Sequence, residues 1–211
     1  MKKIVISAAL LAASVAWFYI FFVDGTYGTP VEAIEKARNL PEPIILVSEK
    51  EKGEGEVVFY LRYINRQNPK PVISVDFVQR TLMGWKWISG GGHMLMEADD
   101  AMSPQEKFDV EWSEQWIPEA DGMPFSMLFG AAANPEIAAV AISDAKTGYA
   151  EMAEMLNAGP SLKIWYWFAD HPQEKEITLQ ALAADGHVLG ARQWQYKPYR
   201  THSIIREDGR R

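Results

Sequence analysis

The sequence predicts a mainly β chain, α+β at the margin. An N-terminal transmembrane helix leads into an antiparallel β-rich body that ends in a β-sandwich-like subregion. Three observations carry this expectation. Residues 4–23 hold no charged side chain and only Ser7, Ser14 and Tyr19 as polar ones, which is the length and polarity a helix needs to span a bilayer. Beyond them, short runs rich in Val, Ile, Tyr, Phe and Trp recur between turn residues roughly every eight to twelve positions, the spacing of antiparallel strands. Finally, the 211 residues include no cysteine, so disulfides, Cys-type zinc sites and thiol chemistry are excluded and packing must hold the body together.

The apolar run sets the topology. Lys2 and Lys3 precede it and Asp24 follows it, so the positive-inside rule keeps residues 1–3 cytosolic and places the body outside the cytosol. The competing reading is a secretory signal cleaved after Ser14-Val15-Ala16, which would release a secreted body. The anchor is preferred because the run stays apolar from Trp17 through Val23, well past that triplet. The expected division is therefore a transmembrane helix at 4–23, a linker at 24–29, a β-rich subregion at 30–124, a sandwich-like subregion at 125–196 and a basic tail at 197–211.

Thr29-Pro30-Val31-Glu32 predicts a short helix: Thr29 caps it, Pro30 occupies the first turn and Glu32 completes a capping box. Pro41 and Pro43 stop it. Strands are expected at 44–47 and 57–64 around a charged turn, then at 72–78 and 82–88. Trp85 and Trp87 share a face of the last one by the period of two, and Gly90-Gly91-Gly92 closes it. Residues 94–107 read as an acidic loop with a helical turn after Ser103, and 108–116 as a further strand. A boundary is expected at 131–135. Strands then follow at 137–142, 149–156, 162–168, 177–183 and 188–196, with Asp185-Gly186 as a hairpin signal. Residues 149–157 have helical propensity as well, but their place between two turns favours a strand.

The stretches Val75-Asp76-Phe77-Val78-Gln79-Arg80-Thr81-Leu82-Met83-Gly84-Trp85-Lys86-Trp87, followed by Ile88-Ser89-Gly90-Gly91-Gly92, and Leu128-Phe129-Gly130, the latter leading through Asn134-Pro135-Glu136-Ile137 to Val140, loosely resemble those of uncharacterised exported or membrane-anchored proteins of spore-forming Gram-positive bacteria. The resemblance implies an anchor joined to a compact β body, and it brings no activity or cofactor with it.

Charge narrows the partners. The chain carries 21 basic and 28 acidic residues; with Lys2 and Lys3 cytosolic, the exported part has 19 against 28, a net −9. Phosphate contacts need clustered Lys and Arg, so nucleic acid is not an expected partner. The tail is the exception, with Lys197, Arg200, Arg206, Arg210 and Arg211 against Glu207 and Asp208, and it reads as a solvated end or a weak contact to anionic lipid or wall polymer. The partners expected are the lipid bilayer through residues 4–23 and another envelope protein or a cell-wall polymer.

Candidate chemistry is sparse. His93 stands after three glycines with Glu97, Asp99 and Asp100 close behind, a donor set suited to a divalent ion or a hydrolytic site. The plainer reading is a solvated acidic loop. Trp85, Trp87, Trp165 and Trp167 form either core or an aromatic shelf that stacks on sugar rings or a partner; Trp112 and Trp116 carry the same ambiguity. Ser143-Asp144-Ala145-Lys146 and Lys146-Thr147-Gly148 imitate two motifs of penicillin-binding enzymes but share one lysine, so they read as a turn. His171, His187 and His202 have no sequence-adjacent triad partners. No phosphate-binding loop, dinucleotide fingerprint, zinc-protease motif or nucleophile elbow is present, and no cofactor is expected. The function expected is a membrane-anchored, extracytoplasmic, non-enzymatic binding module; the alternative is an envelope hydrolase or metal-dependent enzyme around His93.

Overall fold

A computed structural model describes residues 14–15, 25–63, 71–96, 98–119, 122–123, 125–144, 147–169 and 176–195. The expected transmembrane run lies outside these apart from Ser14 and Val15, as does the basic tail. Among the described residues no helix is long and apolar enough to cross a membrane.

The body is mainly antiparallel β. A first sheet contains β1 (Thr26–Tyr27), β2 (Ile45–Lys52), β3 (Gly55–Tyr63), β4 (Pro71–Thr81) and β5 (Gly84–Met94) in the order β1-β5-β4-β3-β2. A second contains β6 (Gln115–Ile117), β7 (Ser126–Ala132), β10 (Glu154–Gly159) and β11 (Leu162–Ala169) in the order β10-β11-β7-β6. The third is built from β8 (Ala139–Asp144), β9 (Tyr149–Met152), β12 (Glu176–Leu182) and β13 (Val188–Gln195), ordered β13-β12-β8-β9. Helix α1 (Pro30–Ala37) covers the outer face of the first sheet, and α2 (Pro104–Glu111) precedes β6.

Side-chain alternation stacks these elements into layers. On one face of the first sheet Val57, Phe59, Ile73, Val75 and Phe77 meet Met127, Phe129, Ile164 and Tyr166 of the second. The other face of the second sheet sends Leu128, Trp165 and Trp167 against Val140, Ile142, Ile177 and Leu179 of the third. The second sheet is therefore covered on both sides. That explains β7, where all seven residues are buried: a strand with two buried faces loses the apolar–polar alternation and reads as a continuous apolar run. Burying one such Phe or Leu is worth roughly 1.5–3 kcal/mol.

Helix α1 starts where the sequence places it, but the expected capping box is only half seen, the Glu32 carboxylate accepting instead from the Gly28 backbone N–H at 3.1 Å. Thr29 Oγ1 accepts from the Glu32 backbone N–H at 3.1 Å, and Ala33 and Ile34 are buried against Val58, Tyr60 and Val78. The segment 149–157 is strand, divided between β9 and β10 with only Ala153 between them. Ala153 N donates to Val140 O at 2.8 Å, so one extended stretch leaves the third sheet and enters the second.

Four expectations are corrected. Residues 108–116 are not one strand, because the Ser103/Glu106 capping box with Pro104 at the start carries α2 through Glu111 and leaves only β6. The boundary at 131–135 cuts into β7, whose Ala131 and Ala132 are buried strand residues. The division after residue 124 does not separate layers either, since β6 and β7 are neighbours in one sheet. Lastly, Gly90, Gly91 and Gly92 lie inside β5 rather than after it.

Candidate functional site

The three glycines explain how two polar clusters fit on opposite faces of β5. Gly90 pairs with Asp76 and Gly92 with Ser74 across the β4–β5 ladder. A Cβ at Gly90 would lie 1.5 Å from Asp76 Oδ1, and one at Gly92 would lie 2.5 Å from Ser74 Oγ. On the other face a Cβ at Gly91 would lie 2.7 Å from Gln115 Nε2. Only a strand without side chains leaves room for these groups.

The outer cluster centres on Asp76, which has no solvent exposure. Arg38, just past α1, donates to Asp76 Oδ1 from Nε at 3.0 Å and Nη2 at 2.5 Å. Trp87 Nε1 donates to the same oxygen at 3.2 Å, and the Tyr60 hydroxyl donates to Oδ2. Burial pushes the Asp76 carboxyl above its ordinary range, while Arg38, Tyr60 and Trp87 pull it back. The same burial, with the neighbouring carboxylate, pushes the Tyr60 phenol up. Every donor here is aimed at one carboxylate, so the cluster pins α1 to the sheet.

The inner cluster contains His93, Ser113 and Gln115. His93 Nε2 lies 2.6 Å from Ser113 Oγ and Nδ1 lies 3.1 Å from Gln115 Oε1. Ser113 Oγ also accepts from the Ala131 backbone N–H at 3.1 Å. His93 is half-buried with its ring 5.5 Å from that of Phe129, and burial lowers its pKa against a smaller opposing effect of Gln115 and Glu114. The amide oxygen of Gln115 can only accept, so Nδ1 carries the proton and the Nε2 lone pair faces the serine hydroxyl.

Of the expected metal-site residues, the described ones are bonded elsewhere. Both nitrogens of His93 are engaged by Ser113 and Gln115. Asp99 and Asp100 are exposed; Asp99 accepts from Ala101 N at 2.9 Å, and Asp100 pairs with Lys107 at 3.6 Å. Glu97 lies outside the described residues, among which no group of three or more His, Asp or Glu side chains could hold a metal ion. Ser113 and Gln115 were not legible as partners of His93, because they lie 20 and 22 positions away and meet it only across the seam between the first two sheets.

The four tryptophan candidates separate. Trp165 is fully buried and Trp167 is 8% exposed, with Trp167 Nε1 donating to Glu151 Oε2 at 2.8 Å and to the Tyr149 hydroxyl at 3.0 Å. These two fill the interior between the second and third sheets, so they form no open shelf. Trp87 is committed to Asp76. Trp85 packs partly under α1 yet lines an open groove of about 770 Å³ at the hairpin end of the first sheet. Glu54, Glu56, Gln79, Arg80 and Leu82 line it too, and the Arg80 guanidinium lies 5.8 Å from the Trp85 ring centre. Burial and the nearby Glu49 and Glu51 raise the Glu56 pKa.

A second cleft, about 560 Å³, opens at the opposite end of the seam between the first and second sheets. Leu61, Pro71, Leu95, Met96, Pro160 and Leu162 line it, with Glu111 among the few polar groups. Of the remaining motifs, Asp144 and Thr147 form a hydrogen-bonded turn at 2.8 Å between β8 and β9, and Lys146 is outside the described residues. His187 pairs with Asp185 at 2.6 Å on an exposed hairpin turn; His171 and His202 are not among the described residues.

Comparison of the chain with models of known families, with curated proteins and with solved structures gives no match.

Proposed function

We propose that this chain is a membrane-tethered binding module standing outside the cytosol, and that the groove beside Trp85 holds a hydroxyl-rich polymer of the cell wall without turning it over. The single-pass tether is residues 4–23, with the N-terminus cytoplasmic. The observation that carries the ligand class is the composition of the groove. The half-exposed Trp85 indole, which carries the Arg80 guanidinium over its ring, gives an apolar surface for the C–H face of a sugar, and a guanidinium, an amide and carboxylates in the lining can bond hydroxyls. Its size suits a short oligosaccharide stretch or a comparable small ligand.

Two experiments test the reading. Intact mass and fractionation of the protein made with its native N-terminus should give the full-length chain in the membrane fraction; a mass lacking residues 1–16 in the medium would instead make it a secreted binder. Co-sedimentation of the full-length protein, solubilised in detergent, with insoluble wall glycan should then fall about tenfold in Trp85→Ala, equivalent to ~1.4 kcal/mol. Unchanged co-sedimentation would remove Trp85 from the site.

A further inference from the structure

We propose that Ser113, His93 and Gln115 form a nucleophile, a general base and a positioning residue, and that the chain carries a second activity, hydrolysis of esters of a largely apolar acyl group held in the cleft beside them. The argument begins with geometry. Nucleophile and base stand 2.6 Å apart, and the base is oriented from its other nitrogen at 3.1 Å, the relation shared by hydroxyl nucleophiles on unrelated folds. The orienting group is an amide rather than a carboxylate, and amides serve this role in thiol enzymes. It selects the required tautomer, with the proton on Nδ1 and a lone pair toward the hydroxyl. Of the two lone pairs on Ser113 Oγ, one accepts from Ala131 N–H and the other is left for attack. Ser113 and His93 are both only partly buried.

The cleft supplies the substrate class. None of the three array residues lines it, but residues two positions away in sequence on both sides do: Leu95 after His93 on the β5 side, and Glu111 before Ser113 on the other. Ala133, also in its lining, donates its backbone N–H to Glu111 O at 2.8 Å. An acyl chain lying among Leu61, Leu95 and Leu162 would bring its carboxyl end toward Ser113.

The chemistry balances without a further reagent. Ser113 Oγ bonds to the ester carbonyl carbon while its proton passes to His93 Nε2. The C–O bond to the alcohol then breaks, and His93 returns the proton to the departing oxygen. Water attacks the acyl-serine, giving one proton to His93 and then to Ser113 Oγ, and the carboxylic acid leaves.

The test uses the full-length protein and an alkyl fluorophosphonate, which bonds phosphorus to an activated serine as fluoride departs. The expected result is one adduct by intact mass, mapped to Ser113. It should be absent in Ser113→Ala and at least tenfold slower in His93→Gln. The rate should hold down to pH 6.5, the ordinary imidazole value, because burial lowers the His93 pKa, and Gln115→Glu should move the fall-off to higher pH. Hydrolysis of p-nitrophenyl octanoate should exceed that of the acetate, with the preference lost in Ala133→Trp. Wild-type protein without an adduct at Ser113 would overturn the proposal, as would labelling that is indifferent to His93→Gln. Labelling without octanoate preference would overturn the assignment of the cleft.

Discussion

The two polar clusters carried by the glycine stretch of β5 differ in one respect that decides what each can do. Around Asp76 three donors converge on a single carboxylate with no solvent exposure. Around His93 the groups are half-buried, and the serine oxygen has a lone pair to spare. A saturated buried network holds structure in place and offers nothing to a ligand. One that is only half-buried leaves hydrogen-bonding capacity unused, which is what the proposed activity draws on. The same strand, with its side chains deleted at alternate faces, supports both.

Substitutions test that contrast, beginning with the largest effect. Asp76→Ala should cost roughly 3–5 kcal/mol in chemical denaturation, because it leaves the Arg38 guanidinium and the Tyr60 hydroxyl facing a void. Ser113→Ala should cost less, roughly 1–3 kcal/mol on the same scale, since it leaves the buried Ala131 backbone N–H and one His93 nitrogen without their partner. Equal losses at the two sites would mean that the inner cluster is structural in the same sense as the outer one.

Gly90→Ala comes next. Its new methyl would collide with Asp76 Oδ1, and overpacking of this kind costs roughly 1–3 kcal/mol. The double variant Gly90→Ala/Asp76→Ala should be less destabilised than the sum of the two singles, since removing the carboxylate makes room. Strict additivity would show that the glycine is not there for Asp76.

Acid should also separate the clusters. The folded-state pKa of His93 lies below its ordinary 6.5, so the unfolded chain takes up the proton first. The stability that the neutral ring contributes is full above 6.5 and is lost as pH falls through the lowered folded value. Denaturation at pH 7 and pH 5 should show a loss that is smaller in His93→Gln. Asp76 has the opposite sign, because its folded pKa is raised, and it adds nothing to this loss. An identical pH dependence in the variant would place the titration elsewhere.

The smallest effect is expected at the cap of α2, which leads into the Ser113 segment. Ser103→Ala should cost about 1 kcal/mol. Its use is as a control: phosphonate labelling should persist if the array is held by the sheet seam rather than by the helix.

Much of the first sheet was legible from residues alone. The run of strand-forming residues from Val57 to Tyr63, the charged turn before it and the Thr29-Pro30 helix start are local signals, and local geometry obeyed them. The Asp185-Gly186 turn likewise joins β12 to β13. Strand β7 was missed because burial on both faces erases the period of two and, unlike β3, its run from Ser126 to Ala132 contains no β-branched residue to mark it. Helix α2 was reduced to a turn because its apolar spacing is weak, although the capping box that forms it was present at Ser103 and Glu106.

The sequence by itself thus determined the β class, the position of α1, most hairpins and the exclusion of cysteine chemistry, since each depends on contacts between near neighbours. It also singled out His93 and the tryptophans as notable residues. Only the tertiary structure decided their partners. Whether Trp165 is core or shelf depends on a third sheet lying over it, and whether His93 faces a metal or a serine depends on β5 meeting the residue-113 segment across the seam. Those are contacts between residues far apart in the chain, and residue type alone carries no record of which distant surface closes over which face.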